Sequence, residues 1–426
     1  MKKEISILSF ILTILLILAD TNKVGVLSVL IVSLIVFFLS QHWRSVATIL
    51  YVALFIRVFV IFLDNNFINL PDSQGDAYYF ELRAYEWSQL GFPDALFNYP
   101  GWEESYFISY ILSIFYSLTD RSLLIGQSIS LLLGTSVVLL SWIIAQKIWD
   151  RRVAMKVGWL TALYPTLILY SSLVMREIYV IFFLLLTLNF MIDWYRANSI
   201  KSFFLVIVCF MAGASFHGGI FVGLIVFILI ILMNAAKIIF IKLIKSMIPF
   251  KLIILFGLII ASSASLVLSS FHIPKIGPLN NFDYIKKNIL KKNMGVHRGD
   301  AKYPIWTIAT SETELIYKLP IRVVYLVFSP FPWDVKKTSH LLGMFDGFFH
   351  MFLVYLIFCN RKVIWADPVL KIILLMLFAY LIVYGIAVAN FGTGVRHRTK
   401  FIVMFILLAA QLLPKFNFSR KNKKKK

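Results

Sequence analysis

Apolar residues in this chain gather in long runs separated by short polar stretches, with no strand-like alternation between them. Runs long enough to cross, or nearly cross, a hydrocarbon layer of ~30 Å lie near residues 5–19, 24–40, 46–63, 122–146, 157–174, 178–193, 203–216, 220–234, 250–271, 345–359, 369–391 and 400–414. They predict an all-α fold, a polytopic integral membrane helical bundle of about twelve helices. Residues 1–414 read as one transmembrane domain and 415–426 as a basic tail. The break at His217-Gly218-Gly219 divides 203–234 into two short helices, and the apolar segments 105–119 and 320–331 read as interfacial or re-entrant. The basic start and apolar run of the N-terminus resemble a secretory signal without a cleavage site, which predicts a retained anchor.

Composition agrees with this pattern: 60% of the 426 residues are hydrophobic and 15% are charged. Charge adds orientation. There are 42 Lys+Arg against 21 Asp+Glu, a formal net charge of +21, and in a polytopic protein such a surplus collects in cytoplasmic loops. This places nucleic acid outside the expected partners and the lipid bilayer among them. With the N-terminus inside, successive crossings put Arg44, Lys147/Arg151/Arg152/Lys156, Arg196/Lys201, Lys237/Lys242/Lys245/Lys251, Arg361/Lys362 and the final KNKKKK on the cytoplasmic side. Both termini are then cytoplasmic, and two long polar segments, 64–104 and 272–319, face outward. The first is acidic and the second rich in lysine. The two cysteines, Cys209 and Cys359, each lie in an apolar run, so neither a disulfide framework nor a cysteine metal site is expected.

Five features converge on the outer side. GDAYYFELRAYEW places Asp76 among Tyr78, Tyr79 and Tyr85, a carboxylate with aromatic faces that suit sugar C–H surfaces. An amphipathic interfacial helix would carry the same residue types. NYPGWEESY sets Glu103 and Glu104 after a Pro-Gly turn, where acids also favour a helix N-terminus. SSLVMREIYV is the sharpest feature: Arg176 and Glu177 interrupt what would otherwise be one apolar run from 157 to 193. Ionisable groups at such depth are costly and functional by default, the alternative being a structural pair at a helix hairpin. SFHGGIF puts His217 at the predicted break with two glycines behind it. NFGTGVRHRTKF reads as a Gly-containing turn followed by Arg396, His397, Arg398 and Lys400. Clustered arginines suit bidentate phosphate binding, and bases outside the membrane call for a ligand such as a lipid pyrophosphate. Together these residues suit transfer of sugars from a polyprenyl carrier, with arginines on the departing phosphate and a carboxylate or His taking the proton of the attacking hydroxyl.

Asp76 with its tyrosines, the YPT turn at Tyr164–Thr166 and SSLVMREIYVIFFLLL resemble the polytopic C-type glycosyltransferases, including the protein mannosyltransferase-like family. The order Arg176-Glu177, one helix, a basic loop, a second helix and His217-Gly218, with SPFPWD at 329–334 and GTGVRHR near the end, is more similar to Wzy-type polymerases of O-antigen and capsule repeat units. The likeness is diffuse over residues 70–410. It implies an enzyme at the outer face of the cytoplasmic membrane. Donor and acceptor would be undecaprenyl-pyrophosphate-linked oligosaccharides, with a chain-length regulator protein as a further partner and no metal or other cofactor. By the polymerase resemblance Arg176, Arg396 and Arg398 hold pyrophosphate, with Tyr79 and Glu103 as further substrate contacts, and Asp76, Glu177 or His217 is the base. The C-type resemblance points to Asp76 as base, although Ala77 stands where that family has a second acid. A lipid-linked oligosaccharide flippase is the third expectation, and it predicts charged residues lining a central cavity.

Overall fold

The computed structural model describes residues 23–99, 106–244, 272–273, 277–278 and 300–414. The expected helices at 5–19 and 250–271, Glu103, most of the lysine-rich 272–299 stretch and the basic tail lie outside the described residues. Among the described residues the structure is helical apart from a two-residue antiparallel pairing of His272–Ile273 with Gly277–Pro278 and a bridge between Lys302 and Asn390.

The first half contributes α1 (Lys23–His42), α2 (Ala47–Asn66), α3 (Tyr78–Ser88), α4 (Phe107–Leu118), α5 (Leu123–Ile148), α6 (Arg151–Leu163), α7 (Pro165–Tyr170), α8 (Arg176–Ala197), α9 (Ile200–Phe216) and α10 (Phe221–Ile244). The second half adds α11 (Glu312–Phe328), α12 (Ser339–Cys359), α13 (Pro368–Ala387), α14 (Phe391–Thr399) and α15 (Ile402–Ala409). Among the described residues seven helices are long and apolar enough to cross a membrane: α1, α2, α5, α8, α10 with the short turn before it, α12 and α13. Exposed Leu27, Ile31, Leu34 and Phe38 on α1, and Ile225, Leu229 and Met233 on α10, form apolar faces suited to lipid.

Local chemistry sets the helix starts. Asp150 accepts the Val153 amide at the start of α6, and Asp367 accepts the Val369 and Leu370 amides at the start of α13, where Pro368 takes the first helical position. Three expected elements come out differently. The 157–174 run is not one helix: Pro165 offers no amide, so α6 stops at Leu163, α7 makes a short stretch, and the chain unwinds before α8. The expected turn at GTGVRHR is helical, because Asn390 accepts the amides of Gly392 and Thr393 and starts α14 despite two glycines. Of the 320–331 segment, residues 320–328 continue α11, which begins upstream at Glu312 and runs through Pro320, and 329–331 leave the helix in extended conformation.

α4 has 12 residues, a rise of about 18 Å, too short to cross by itself. Its Ser109 hydroxyl donates to the Phe80 carbonyl and ties it to α3. At one end of the bundle the Lys147 ammonium lies 2.5 Å from Asp193, the Lys156 ammonium donates to the Leu413 carbonyl, and Trp149 Nε1 donates to the Leu407 carbonyl. The basic 147–156 stretch, the end of α8 and the end of α15 therefore share that end. Arg176 and Glu177 begin α8 at the opposite end.

Candidate functional site

The chain leaves α2 through Asn66 and turns so that the Asp64 carboxylate accepts the Leu70 amide and the Ser73 hydroxyl. Asp72 then takes a left-handed conformation (φ 67°), uncommon for a residue with a side chain and concentrated at functional sites. One turn of wide helix, Ser73–Ala77, leads into α3 and sets Asp76 at its mouth.

Opposite stands Arg396 of α14. Its Nη1 is 2.5 Å from Asp76 Oδ2 and its Nη2 3.2 Å from Glu177 Oε1, which joins residues 320 positions apart. Glu177 is fully buried, and the Lys400 ammonium, also buried, lies 3.7 Å from the same carboxylate oxygen. Lys400 further shares a 2.9 Å hydrogen bond with His397 Nδ1. His217, at the break between α9 and α10, accepts the Gly219 amide at Nδ1 (3.2 Å) and meets the Tyr384 hydroxyl at the same nitrogen (2.9 Å). Its ring lies 5.3 Å from that of His397. Arg176 is buried beside this group, its guanidinium 5.6 Å from the Phe80 ring centroid.

The expected residues therefore divide. Asp76, Glu177, Arg176, His217 and Arg396 come together. Arg398 does not: it is fully buried on the other side of α14, with Nε 2.6 Å from Asp346 and its remaining nitrogens on the carbonyls of Val327, Ser329 and Gly343. Positions 396 and 398 are about 200° apart around a helix, so one arginine reaches the cluster and the other faces the core. Tyr79 is turned to the surface, 59% exposed, with its ring edge-on to Tyr78. Glu103 lies outside the described residues.

The structure adds Asp72, Tyr170, Tyr384, His397 and Lys400. The Tyr170 hydroxyl donates to Asp72 Oδ2 at 3.3 Å. Burial pushes the Asp72 carboxyl above its ordinary range; Glu177 and Asp76 push the same way, while Arg396 and the tyrosine oppose them. For Arg396, burial would weaken its hold on the proton, but Glu177, Asp76 and Asp72 outweigh it and raise its pKa. In sequence, Asp72 is one acid among several in the 64–104 segment, and Tyr170 and Tyr384 lie inside the apolar runs 157–174 and 369–391. His397 and Lys400 stood in the basic cluster, but nothing there separated them from Arg398.

Glu177 Oε2 and Arg396 Nε, both buried in the cluster, have no hydrogen-bond partner among the described residues. Buried polar atoms are nearly always paired, and the exceptions concentrate where a site must engage something else. Three cations, Arg176, Arg396 and Lys400, meet three carboxylates, Asp72, Asp76 and Glu177. Protonation of Asp72 would leave the group with a net positive charge. No known protein family, curated protein or solved structure matches this chain.

Proposed function

We propose that this membrane protein is a glycosyltransferase that polymerises polyprenyl-pyrophosphate-linked oligosaccharide repeat units at the outer face of the cytoplasmic membrane. The observation that carries the reading is the ion cluster itself. Arg396 bridges Asp76 and Glu177 at the end of the bundle opposite the basic stretches, with Lys400, Arg176 and His217 around it. Under the positive-inside rule that end faces outward, where a lipid-linked glycan presents its sugar while its tail stays in the bilayer.

We assign the three candidate bases different roles from their surroundings. Glu177 is fully buried and its Oε1 faces both Arg396 and Lys400, so we give it the role of holding those cations in place. His217 Nδ1 accepts the Gly219 amide, which leaves any ring proton on Nε2 and makes that nitrogen a donor. The Asp76 side chain is 46% exposed, while its partner Arg396 is 13% exposed. Asp76 is the base: it takes the proton of the acceptor hydroxyl as that oxygen bonds to the anomeric carbon. The bond from that carbon to the carrier pyrophosphate breaks, and the departing charge is held by Arg396 with Arg176 and Lys400.

A second reading, transfer of one sugar from a polyprenyl monophosphate, is favoured by Asp72. The second acid of the C-type pattern is missing at Ala77, yet the left-handed turn brings a second carboxylate into the field of Asp76 and Arg396 from four residues upstream. Deletion of the gene separates the two. Loss of a polymerase leaves glycan capped with a single repeat unit, whereas loss of a single-sugar transferase leaves chain length intact and removes one sugar by mass. A normal ladder of normal mass would sink both.

A further inference from the structure

The SPFPWD stretch takes no part in the ion cluster, but it forms one wall of a separate cavity. This cavity has a volume of about 170 Å³ and is lined by Asp300, Lys302, Tyr303, Trp333, Asp334 and Lys336 among others. Trp333 lies flat on Phe331, with ring centroids 4.9 Å apart and planes 9° apart, yet is 72% exposed. A ring with one face on a neighbour and this much exposure presents its other face outward.

The support beneath it is fixed. Phe331 packs edge-on against Tyr325, whose ring also meets Tyr303 and Trp306. The Phe331 amide donates to Asp334 Oδ2 at 3.0 Å. The 300–303 strip is stitched to the start of α14 by Tyr303 N to Ala389 O (3.0 Å) and Phe391 N to Ala301 O (2.8 Å).

We propose that this cavity is a carbohydrate subsite in which one sugar ring of a substrate glycan packs on Trp333, its hydroxyls meeting the surrounding carboxylates and ammonium groups. Aromatic faces pack on sugar C–H surfaces, and Asp300, Asp334, Lys302 and Lys336 around the ring, with Lys337 paired to Asp300 at 2.7 Å, supply both donors and acceptors. The cavity reaches Phe391, five residues before Arg396 on α14, about 7.5 Å along the helix axis. Positions 391 and 396 are also about 140° apart around the helix, so a glycan of several sugar units, passing round α14, would join a ring held here to a bond broken at Arg396. The inference rests on the glycan-transfer reading above and adds where the sugar chain is gripped.

The test uses full-length protein in detergent on an array of mono- to hexasaccharides. Binding that falls about tenfold or more in Trp333→Ala, that Trp333→Phe largely restores, and that survives Trp365→Ala at the basic end of the molecule is the expected result. No binding by the wild type, or equal binding by Trp333→Ala, overturns the subsite. The two proposals fail separately. Trp333-dependent array binding with an unchanged glycan ladder and mass in the deletion strain would keep the subsite and discard the transferase. A lost ladder with Trp333-independent binding would do the reverse.

Discussion

Helix α14 carries two arginines two residues apart, and each meets a carboxylate, but the surroundings they build are opposite in kind. Arg398 lies in a closed network. Asp346 accepts from its Nε, from the Tyr164 hydroxyl (2.5 Å) and from Thr166 (3.1 Å), while backbone carbonyls take the other guanidinium nitrogens. A side chain at Gly347 would collide with the Phe328 carbonyl, so a glycine next to Asp346 lets α12 close against α11. Arg396 lies in an open network, with a half-exposed carboxylate on one side, a buried one on the other, and polar atoms to spare on both Arg396 and Glu177. The first arrangement fixes α14; the second is positioned by it. On the proposed function, one buried ion pair is architecture and the other chemistry, and what separates them is how many of their hydrogen-bonding atoms are already used.

If that distinction holds, activity and stability should come apart between the two sites. The largest effect on activity is expected for Asp76→Asn, a fall of about 10²–10⁴-fold in glycan transfer with an unchanged melting temperature, since general-base catalysis contributes on that order. It is read from ladder formation in complemented cells together with thermal unfolding in detergent. Next comes Asp346→Ala, which leaves Arg398 buried without its counter-charge and should cost about 3–5 kcal/mol of stability. Replacing Asp346 and Arg398 together with apolar residues should recover much of that loss, and no recovery in the double variant would mean the pair does more than support the fold.

A smaller effect separates the two jobs of His217. His217→Asn keeps a good helix-capping oxygen but removes the Nε2 donor, so transfer should fall by roughly tenfold, about 1.4 kcal/mol of barrier, while stability stays within about 1 kcal/mol. Equal losses in both would make His217 a cap and nothing more.

The smallest effect concerns Asp72. Its carboxyl is raised in the folded protein, chiefly by burial, so its contribution to stability is fully present below the unfolded-state value and is lost as pH rises through the folded one. Asp72→Asn, which keeps a residue tolerant of the left-handed conformation, should therefore melt slightly higher than wild type above that window and equally below it. A pH-independent difference would remove titration of Asp72 from the account.

Much of this site could be read from the chain. Arg176, Glu177 and His217 stood out because each interrupts an apolar run, where an ionisable or helix-breaking residue is expensive. The same rule could have found Arg57, buried inside α2 against the Ser171 hydroxyl and the Ala53 carbonyl, and also Asp346 and His350 inside α12. Each is a single polar side chain in an otherwise apolar span, which leaves the hydrophobic pattern of that span intact. The C-terminal cluster shows the limit most plainly. Arg396 and Arg398 have the same side chain in the same short motif, and the two differ only through the helix that Asn390 starts, which points one toward Asp76 and the other toward Asp346.

The sequence by itself determined the membrane character and most of the long helices, because burying a backbone in hydrocarbon requires long apolar runs whose hydrogen bonds close within the segment. It also determined the break at His217 and the acidic character of the 64–104 stretch. Tertiary structure decided which charges meet. Asp76, Glu177 and Arg396 are brought together by the left-handed turn at Asp72, the unwound chain before α8 and the facing of α14. Those are properties of helix phase and packing between distant segments, and periodicity along one segment carries no information about the partner it will face.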